Sequence, residues 1–228
     1  MVRIIRRGIS AVRLAGAAML LPAYPPARLP AQDPWPILDG ASAAYQAVGT
    51  FSADFVQVVT NPMVGEPDTT WGKLYQEPPN LFAMRFTRPK GDRIVADGRS
   101  LWLYTPSTTP GQVIRTPIPA VGTTGPNLIG QFVDRARGRY RARYVRADTL
   151  ALDGVADVIA LDPKDPTLPY SHAVIWIARS DSLVRRMEIA EISGQDRTIM
   201  LRALQAHADV PRGEFKFSVP HGAQVIDQ

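Results

Sequence analysis

Short runs of alternating apolar residues are the feature that most constrains this sequence. Between positions 81 and 87, Phe82, Met84 and Phe86 alternate with smaller or polar residues. Successive residues of a strand point to opposite faces, so this period of two predicts a strand with one buried face. The pair Asp97-Gly98 lies between two further apolar runs, which is a strong signal for a tight β-hairpin. This part of the chain therefore predicts a β-meander with one apolar face.

Strand patterns also fill most of the remaining chain. A second hairpin is predicted at Asp153-Gly154, and further strands extend to His207. Two helical patterns interrupt them, one over Asp33–Gly49 with Asp39 as its N-cap and one over Asn127–Ala136. We predict a mainly β fold of about eleven strands, arranged as a curved antiparallel sheet or incomplete open β-barrel with an α-helical lid.

The first 31 residues have the layout of a cleavable secretory signal. Arg3, Arg6 and Arg7 precede an apolar run that is too short to span a bilayer, and Pro30-Ala31 offers a small residue for cleavage. Arg13 interrupts the apolar region, which leaves a retained N-terminal anchor as the alternative. We expect a signal peptide over 1–31 and a single domain over 32–228.

The basic charge of the chain is concentrated in this segment. Five of the 26 basic residues and none of the 21 acidic residues lie in 1–31, so the remainder carries 21 of each. The net charge of +5 therefore does not indicate a nucleic-acid partner. The sequence contains no cysteine, which excludes disulfides, thiol chemistry and lipidation of its own N-terminus. A neutral, secreted chain without cysteine fits the periplasm.

No pattern in the sequence indicates catalysis. His172, His207 and His221 lack partners at metal-ligand spacing, and Ser171 beside His172 lacks the glycine-flanked turn of a nucleophile elbow. No glycine-rich loop of a nucleotide-binding type opens a helix. We expect no enzyme activity, no cofactor and no metal.

Five motifs, taken in order along the chain, resemble the LolA family of periplasmic lipoprotein carriers. They are Phe51-Ser-Ala-Asp-Phe55-Val-Gln57, Gly72-Lys-Leu74-Tyr75, Pro79-Asn80-Leu81-Phe82, Asp97-Gly98-x-x-Leu101-Trp102-x-Tyr104-x-Pro106, and Phe215-Lys-Phe217-Ser-Val-Pro220-x-Gly222-Ala-x-Val225-Ile-Asp227. Together they span nearly all of the chain after the signal segment.

The resemblance implies a carrier that shuttles lipoproteins from the inner to the outer membrane without catalysing a reaction. It implies an incomplete barrel whose concave face, covered by helices, holds the acyl chains of the lipoprotein. The implied partners are an inner-membrane lipoprotein-releasing ABC transporter complex and an outer-membrane acceptor. The carrier is expected to be monomeric in the periplasm.

Large apolar side chains on the alternating faces are the candidates for this cavity, because methionine and aromatic side chains form adaptable surfaces. We expect the cavity to be lined by Phe55, Phe82, Met84, Phe86, Trp102, Tyr104, Trp176, Met187, Ile189 and Met200. We expect the helical lid to fill the mouth of the empty cavity with Leu38, Tyr45, Val48, Leu128, Ile129 and Phe132. The alternative is that all of these residues form an ordinary core.

Two groups of arginines concern the lid and the partners. The family pattern commonly places an arginine immediately before Pro-Asn-Leu-Phe, where it holds the lid, but this chain has Pro78 there. Proline cannot donate a hydrogen bond, so three alternatives remain: the lid closes less tightly, Arg85 or Arg88 takes this role, or the chain is a looser relative with a different lipid cargo. The alternating Arg139, Arg141 and Arg143 form either a solvated strand face or a patch that docks an acidic partner or anionic head groups.

Two other functions fit parts of the pattern. A periplasmic sensor of lipids or lipoproteins, docking to a membrane-bound regulator, would use the same open barrel. A lipid-modifying hydrolase is disfavoured because a nucleophile and base are missing.

Overall fold

The computed structural model describes residues 32–63, 65–118 and 128–228. The predicted signal segment 1–31, most of the predicted loop after Pro117 and the predicted helix start at Asn127 lie outside these residues. None of the described helices is long and apolar enough to cross a bilayer.

One helix of fourteen residues and two single-turn helices accompany the strands. Helix α1 spans Trp35–Val48, α2 spans Gly130–Val133 and α3 spans Ala136–Arg139. The strands are β1 (Phe51–Thr60), β2 (Asp68–Glu77), β3 (Leu81–Arg88), β4 (Arg93–Asp97), β5 (Ser100–Tyr104), β6 (Gln112–Pro117), β7 (Tyr140–Leu150), β8 (Gly154–Pro163), β9 (Tyr170–Ala178), β10 (Val184–Glu191), β11 (Asp196–Ala206) and β12 (Gln224–Asp227).

The twelve described strands form one sheet in the order β12-β6-β5-β4-β3-β2-β1-β11-β10-β9-β8-β7. Strands β1 to β6 form one antiparallel meander and β7 to β11 form another, and the antiparallel pair β1–β11 joins them. Strand β12 runs parallel to β6. The sheet is open, with β12 and β7 at its edges, which confirms the predicted mainly β, curved and unclosed fold.

The main apolar core lies on the face of the sheet that the helices cover, here called the inner face. Alternate residues of the central strands point into it, including Phe55 of β1, Leu74 of β2 and Leu201 of β11, all almost fully buried. Helix α1 contributes Leu38 and Tyr45, and the Tyr45 ring packs edge to face on Phe51 with 5.9 Å between ring centroids. The inner face is therefore filled by α1 at one end.

The helices differ from their predicted bounds in two places. Helix α1 begins at Trp35, one turn before the predicted N-cap Asp39, because Pro36 suits the first helical turn and the Asp33 carboxylate accepts a hydrogen bond from the Trp35 backbone N–H at 3.1 Å. The second helix is broken into α2 and α3, since Arg135 between them adopts a left-handed conformation with φ +51°.

The opposite, outer face carries a smaller apolar cluster under the C-terminal crossover, which is the segment 207–223 between β11 and β12. Phe215 of the crossover is buried against Ala83 and Val95. The Phe217 ring stacks on Trp102 with 5.3 Å between centroids and 18° between planes. The crossover therefore covers the outer side of β3 to β5 and brings β12 to the sheet edge.

Candidate functional site

A large cavity lies on the inner face, next to the end of β1 and β2 that is farther from α1. Its volume is about 980 Å³, which is at the upper end for small-molecule sites. Glu66 and Thr108, which are exposed loop residues, also line it, so the cavity opens to solvent at this end.

One wall of the cavity is apolar and is built mainly by β3. Phe82, Met84 and Phe86 line it from alternate positions of that strand, as the period of two predicts. Ile94 of β4 pairs with Met84, and Leu103 of β5 pairs with Ile94, so the same surface continues across the meander. Adjacent strands thus present one continuous apolar surface to the cavity.

The neighbouring wall is polar and crosses β11, β1 and β2. Arg197, Gln57 and Thr70 line it, and Gln57 and Thr70 are 8% and 7% exposed. The Arg197 guanidinium donates to the Gln57 side-chain oxygen at 3.0 Å and to the Glu191 carboxylate at 2.8 Å. The Gln57 amide nitrogen donates to the Thr70 hydroxyl at 3.4 Å. A partly buried, hydrogen-bonded polar row therefore adjoins the apolar wall.

A lid segment, comprising residues 128–139 with α2 and α3, covers another part of the cavity. Leu128, Gln131 and Arg139 line the cavity directly. The Tyr140 hydroxyl donates to the Gln131 carbonyl at 2.8 Å and lies 2.6 Å from the Tyr170 hydroxyl. Burial, with the Tyr170 hydroxyl, raises the pKa of Tyr140 above its ordinary value, so this hydroxyl stays protonated.

Aromatic packing and one polar contact also attach the lid segment. The Phe132 ring packs on the rings of Tyr140 and Tyr170, with centroids 6.4 Å and 5.7 Å away. The Ser42 hydroxyl of α1 donates to the Asp134 carboxylate at 3.1 Å. The lid segment is therefore held to both the sheet and α1.

Three further predicted cavity residues point to the inner face but do not line the cavity. Phe55 packs edge to face against Phe86 with 5.1 Å between centroids, so it lies beside the apolar wall. Met187 and Ile189 of β10 are buried in the same apolar cluster. These residues belong to the core around the cavity.

Four predicted cavity residues lie on the outer face, so the expectation that they share the cavity side is wrong. Trp102 stacks on Phe217, and the Tyr104 ring packs against the same ring with centroids 6.2 Å apart. Trp176 lies under the Arg186 guanidinium at 4.6 Å from its ring centroid, and Met200 pairs with Arg186 in the sheet. In runs such as Leu-Trp-Leu-Tyr every position is apolar, so alternation does not tell which side faces the cavity.

The predicted lid residues of α1 are buried in the core. Leu38 has no exposed surface, and Tyr45 and Val48 line a second, very small cavity of about 10 Å³ together with Ile129. Of the six predicted lid residues, Leu128 is the one that lines the large cavity. The other five pack in the apolar cluster that also contains Phe82, Met84 and Phe86.

The arginines fall into separate environments. Arg139 ends α3 and lines the cavity, whereas Arg141 and Arg143 are exposed on the edge strand β7. Arg85 forms an ion pair with Glu214 at 3.0 Å on the outer face, and the Arg88 guanidinium lies 4.9 Å from the centroid of the Trp71 ring. These recorded contacts of Arg85 and Arg88 do not involve the lid segment.

The sequence prediction missed the polar row. Gln57 lies two residues after Phe55, so strand alternation places it on the inner face, and Arg197 precedes the inward Ile199 by two residues. Alternation could have indicated both residues. Polar side chains are usually exposed, so neither residue was among the candidates for an apolar cavity.

An open, curved β-sheet whose inner face carries a large, partly apolar cavity defines a class of ligand-binding proteins. Comparison with known proteins places the chain within that class. The family model described as "Outer membrane lipoprotein carrier protein LolA" matches residues 46–218, and the chain belongs to this family.

Relatives agree with this assignment, and one solved structure shares the fold. The chain is 28% identical over 198 residues to an outer-membrane lipoprotein carrier protein of Actinobacillus succinogenes, covering 86% of this chain and 89% of that protein. It is 30% identical over 184 residues to the protein of that name from Actinobacillus pleuropneumoniae serotype 7, covering 80% of each. An uncharacterized conserved protein of Thermus thermophilus has the same fold, with a TM-score of 0.54, 16% identity and coverage of 85% of this chain and 98% of that one.

Proposed function

We propose that the protein is a periplasmic carrier that binds the acyl chains of lipoproteins and moves lipoproteins from the inner to the outer membrane. The observation that carries this proposal is the cavity of about 980 Å³ with its apolar wall of Phe82, Met84 and Phe86 in a member of the LolA family. An inner-membrane lipoprotein-releasing ABC transporter complex would load the carrier, and an outer-membrane acceptor would unload it. The carrier acts as a monomer and catalyses no reaction.

The apolar wall supplies the affinity for the acyl chains. Transfer of about ten methylenes from water to such a surface contributes roughly 8 kcal/mol, at about 0.8 kcal/mol each. Binding of this strength would make release slow unless the empty carrier has a favourable state of its own.

The lid segment and α1 provide this competing state. Ile129, Phe132 and Leu38 are buried in the same cluster as the apolar wall. Acyl chains that entered beyond the present cavity would have to separate these side chains from the apolar wall. The return of the side chains to the wall would then favour release. Reversible carriage follows from this competition between cargo and lid.

Transfer also requires docking to two partners. Arg141 and Arg143 are exposed on the edge strand β7, and we assign them to the docking of an acidic partner surface. Their removal should slow loading without changing the affinity for free acyl ligands.

Native mass spectrometry with a synthetic triacylated lipopeptide tests the carrier function. We expect a one-to-one complex with the acylated peptide and none with the same peptide lacking acyl chains. Met84→Glu, which puts a charge in the apolar wall, should abolish the complex, whereas Thr87→Glu, at an exposed position of the same strand, should retain it. Absence of a complex with the folded wild-type protein would contradict the proposal.

A further inference from the structure

The polar row of Arg197, Gln57 and Thr70 is not explained by the binding of hydrocarbon chains. An apolar ligand forms no hydrogen bonds, and the burial of polar groups beside it is unfavourable unless they are satisfied. The row nevertheless lines the cavity directly, next to the apolar wall. The groups of the row bond to one another, but Arg197 keeps further N–H donors that a purely apolar ligand would leave without a partner.

The row presents hydrogen-bond donors to the cavity. Arginine has five N–H donors, and the recorded contacts of Arg197 to Glu191 and Gln57 use two of them. The Arg197 side chain is 30% exposed, so its remaining donors are accessible from the cavity that it lines. The planar guanidinium therefore offers several donors in a fixed orientation.

The charges around the cavity favour a neutral acceptor over an anion. Glu191 forms an ion pair with Arg197 at 2.8 Å and neutralises it. Glu66, Asp68 and Asp92 also line the cavity, where the other basic residue is Arg139. A phosphate or carboxylate would meet these acidic groups, whereas an ester carbonyl accepts hydrogen bonds without adding charge.

We propose that Arg197, oriented by Gln57 and Glu191, binds the ester carbonyl oxygens at the head of a diacylated ligand, while its chains lie along Phe82, Met84 and Phe86. This inference rests on the proposed carrier function and specifies the part of the lipid that the cavity recognises. The strand register supports it, because Arg197 is two residues from the inward Ile199, so polar and apolar contacts lie side by side. The row sets how deeply the acyl chains enter.

Two lipopeptides with equal chains, one diester and one diether, test the inference by competition against a fluorescent lipid probe. The ether analogue keeps the hydrocarbon but lacks the ester carbonyls. We expect the wild-type protein to bind the diester about tenfold more tightly, which is the effect of losing one hydrogen bond to a charged donor. Arg197→Met should remove this preference and leave the affinity for the diether within about twofold.

Arg202→Met is the matched control, because Arg202 lies on the same strand and is exposed. It should retain the tenfold preference. Equal binding of diester and diether by the wild-type protein would overturn the inference and leave the carrier function intact. This comparison uses the wild-type protein alone, so it remains decisive even if Arg197→Met fails to fold. A preference for a free fatty acid of the same chain over the diester would also overturn it. Binding of neither lipopeptide would instead contradict the carrier function.

Discussion

At the scale of single residues, Gly72 shows how closely the strands around the cavity approach each other. A Cβ atom at this position would lie 2.2 Å from the Arg85 backbone oxygen and 2.6 Å from the Phe55 ring. Phe55 in turn packs against Phe86 in the apolar wall. The absence of a side chain at position 72 therefore leaves room for the Phe55 ring beside the apolar wall.

We expect Gly72→Ala to lower the free energy of unfolding by about 2 to 3 kcal/mol, since backbone must shift to admit the methyl group. Urea unfolding measures this change. Gly213→Ala is the control, because a Cβ atom there meets no atom within 4 Å, and it should change the stability by less than about 0.5 kcal/mol. Equal stability of both variants would contradict the packing described for Phe55.

Single residues also show where alternation no longer predicts the face of the sheet on which a side chain lies. Phe82, Met84 and Phe86 lie on the inner face, as predicted from their alternation with Ala83, Arg85 and Thr87, which are small or polar. In the run containing Trp102 and Tyr104, all side chains are large and apolar, so both faces look equally buried. Burial on the outer face arises from Phe215 and Phe217 of the C-terminal crossover, which is distant in the sequence.

At the scale of elements, the hydroxyl of Tyr140 helps to attach the lid segment. Pro78 stands where the resemblance implies an arginine that holds the lid, and the contacts of Arg85 and Arg88 lie elsewhere. The Tyr140 hydroxyl instead donates to the Gln131 carbonyl at 2.8 Å. Tyrosine satisfies a lid carbonyl here without adding charge to the cavity.

Tyr140→Phe should lower the free energy of unfolding by about 1 to 3 kcal/mol, because the partly buried Gln131 carbonyl and the buried Tyr170 hydroxyl lose a partner. Hydrogen exchange should also become faster in residues 128–139 than in β8. Tyr144→Phe is the matched control on the same strand, where the hydroxyl bonds to Asp157 at 3.2 Å and is only half-buried. Unchanged exchange in the lid segment of Tyr140→Phe would show that this hydroxyl does not hold it.

Elements were predictable to different degrees for physical reasons. Strands with polar alternation and the two Asp-Gly hairpins follow from local chemistry, and both hairpins contain a glycine with positive φ, at Gly98 and Gly154. The break between α2 and α3 was missed, because the left-handed Arg135 has no local signal. Strand β12 was missed as well, since four residues at a sheet edge form a strand only through pairing with β6.

At the scale of the whole molecule, the outer face of the open sheet stabilises the fold and its inner face provides the cavity. Its outer face is closed by the C-terminal crossover and by side-chain packing, which stabilise the curved sheet. Its inner face is shared between helices and a cavity, so packing there can be exchanged for a ligand. A carrier needs such an arrangement, because its scaffold must persist while its interior changes occupant.

Photo-crosslinking in cells, with the probe at Phe82 or Met84, tests the carrier account most directly. Arg85 on the same strand and Trp102 on the outer face are the control positions. The account predicts lipoprotein adducts from Phe82 and Met84 and none from Arg85 or Trp102. A folded, secreted protein that gives no lipoprotein adducts at Phe82 and Met84, or equal adducts at all four positions, would contradict it.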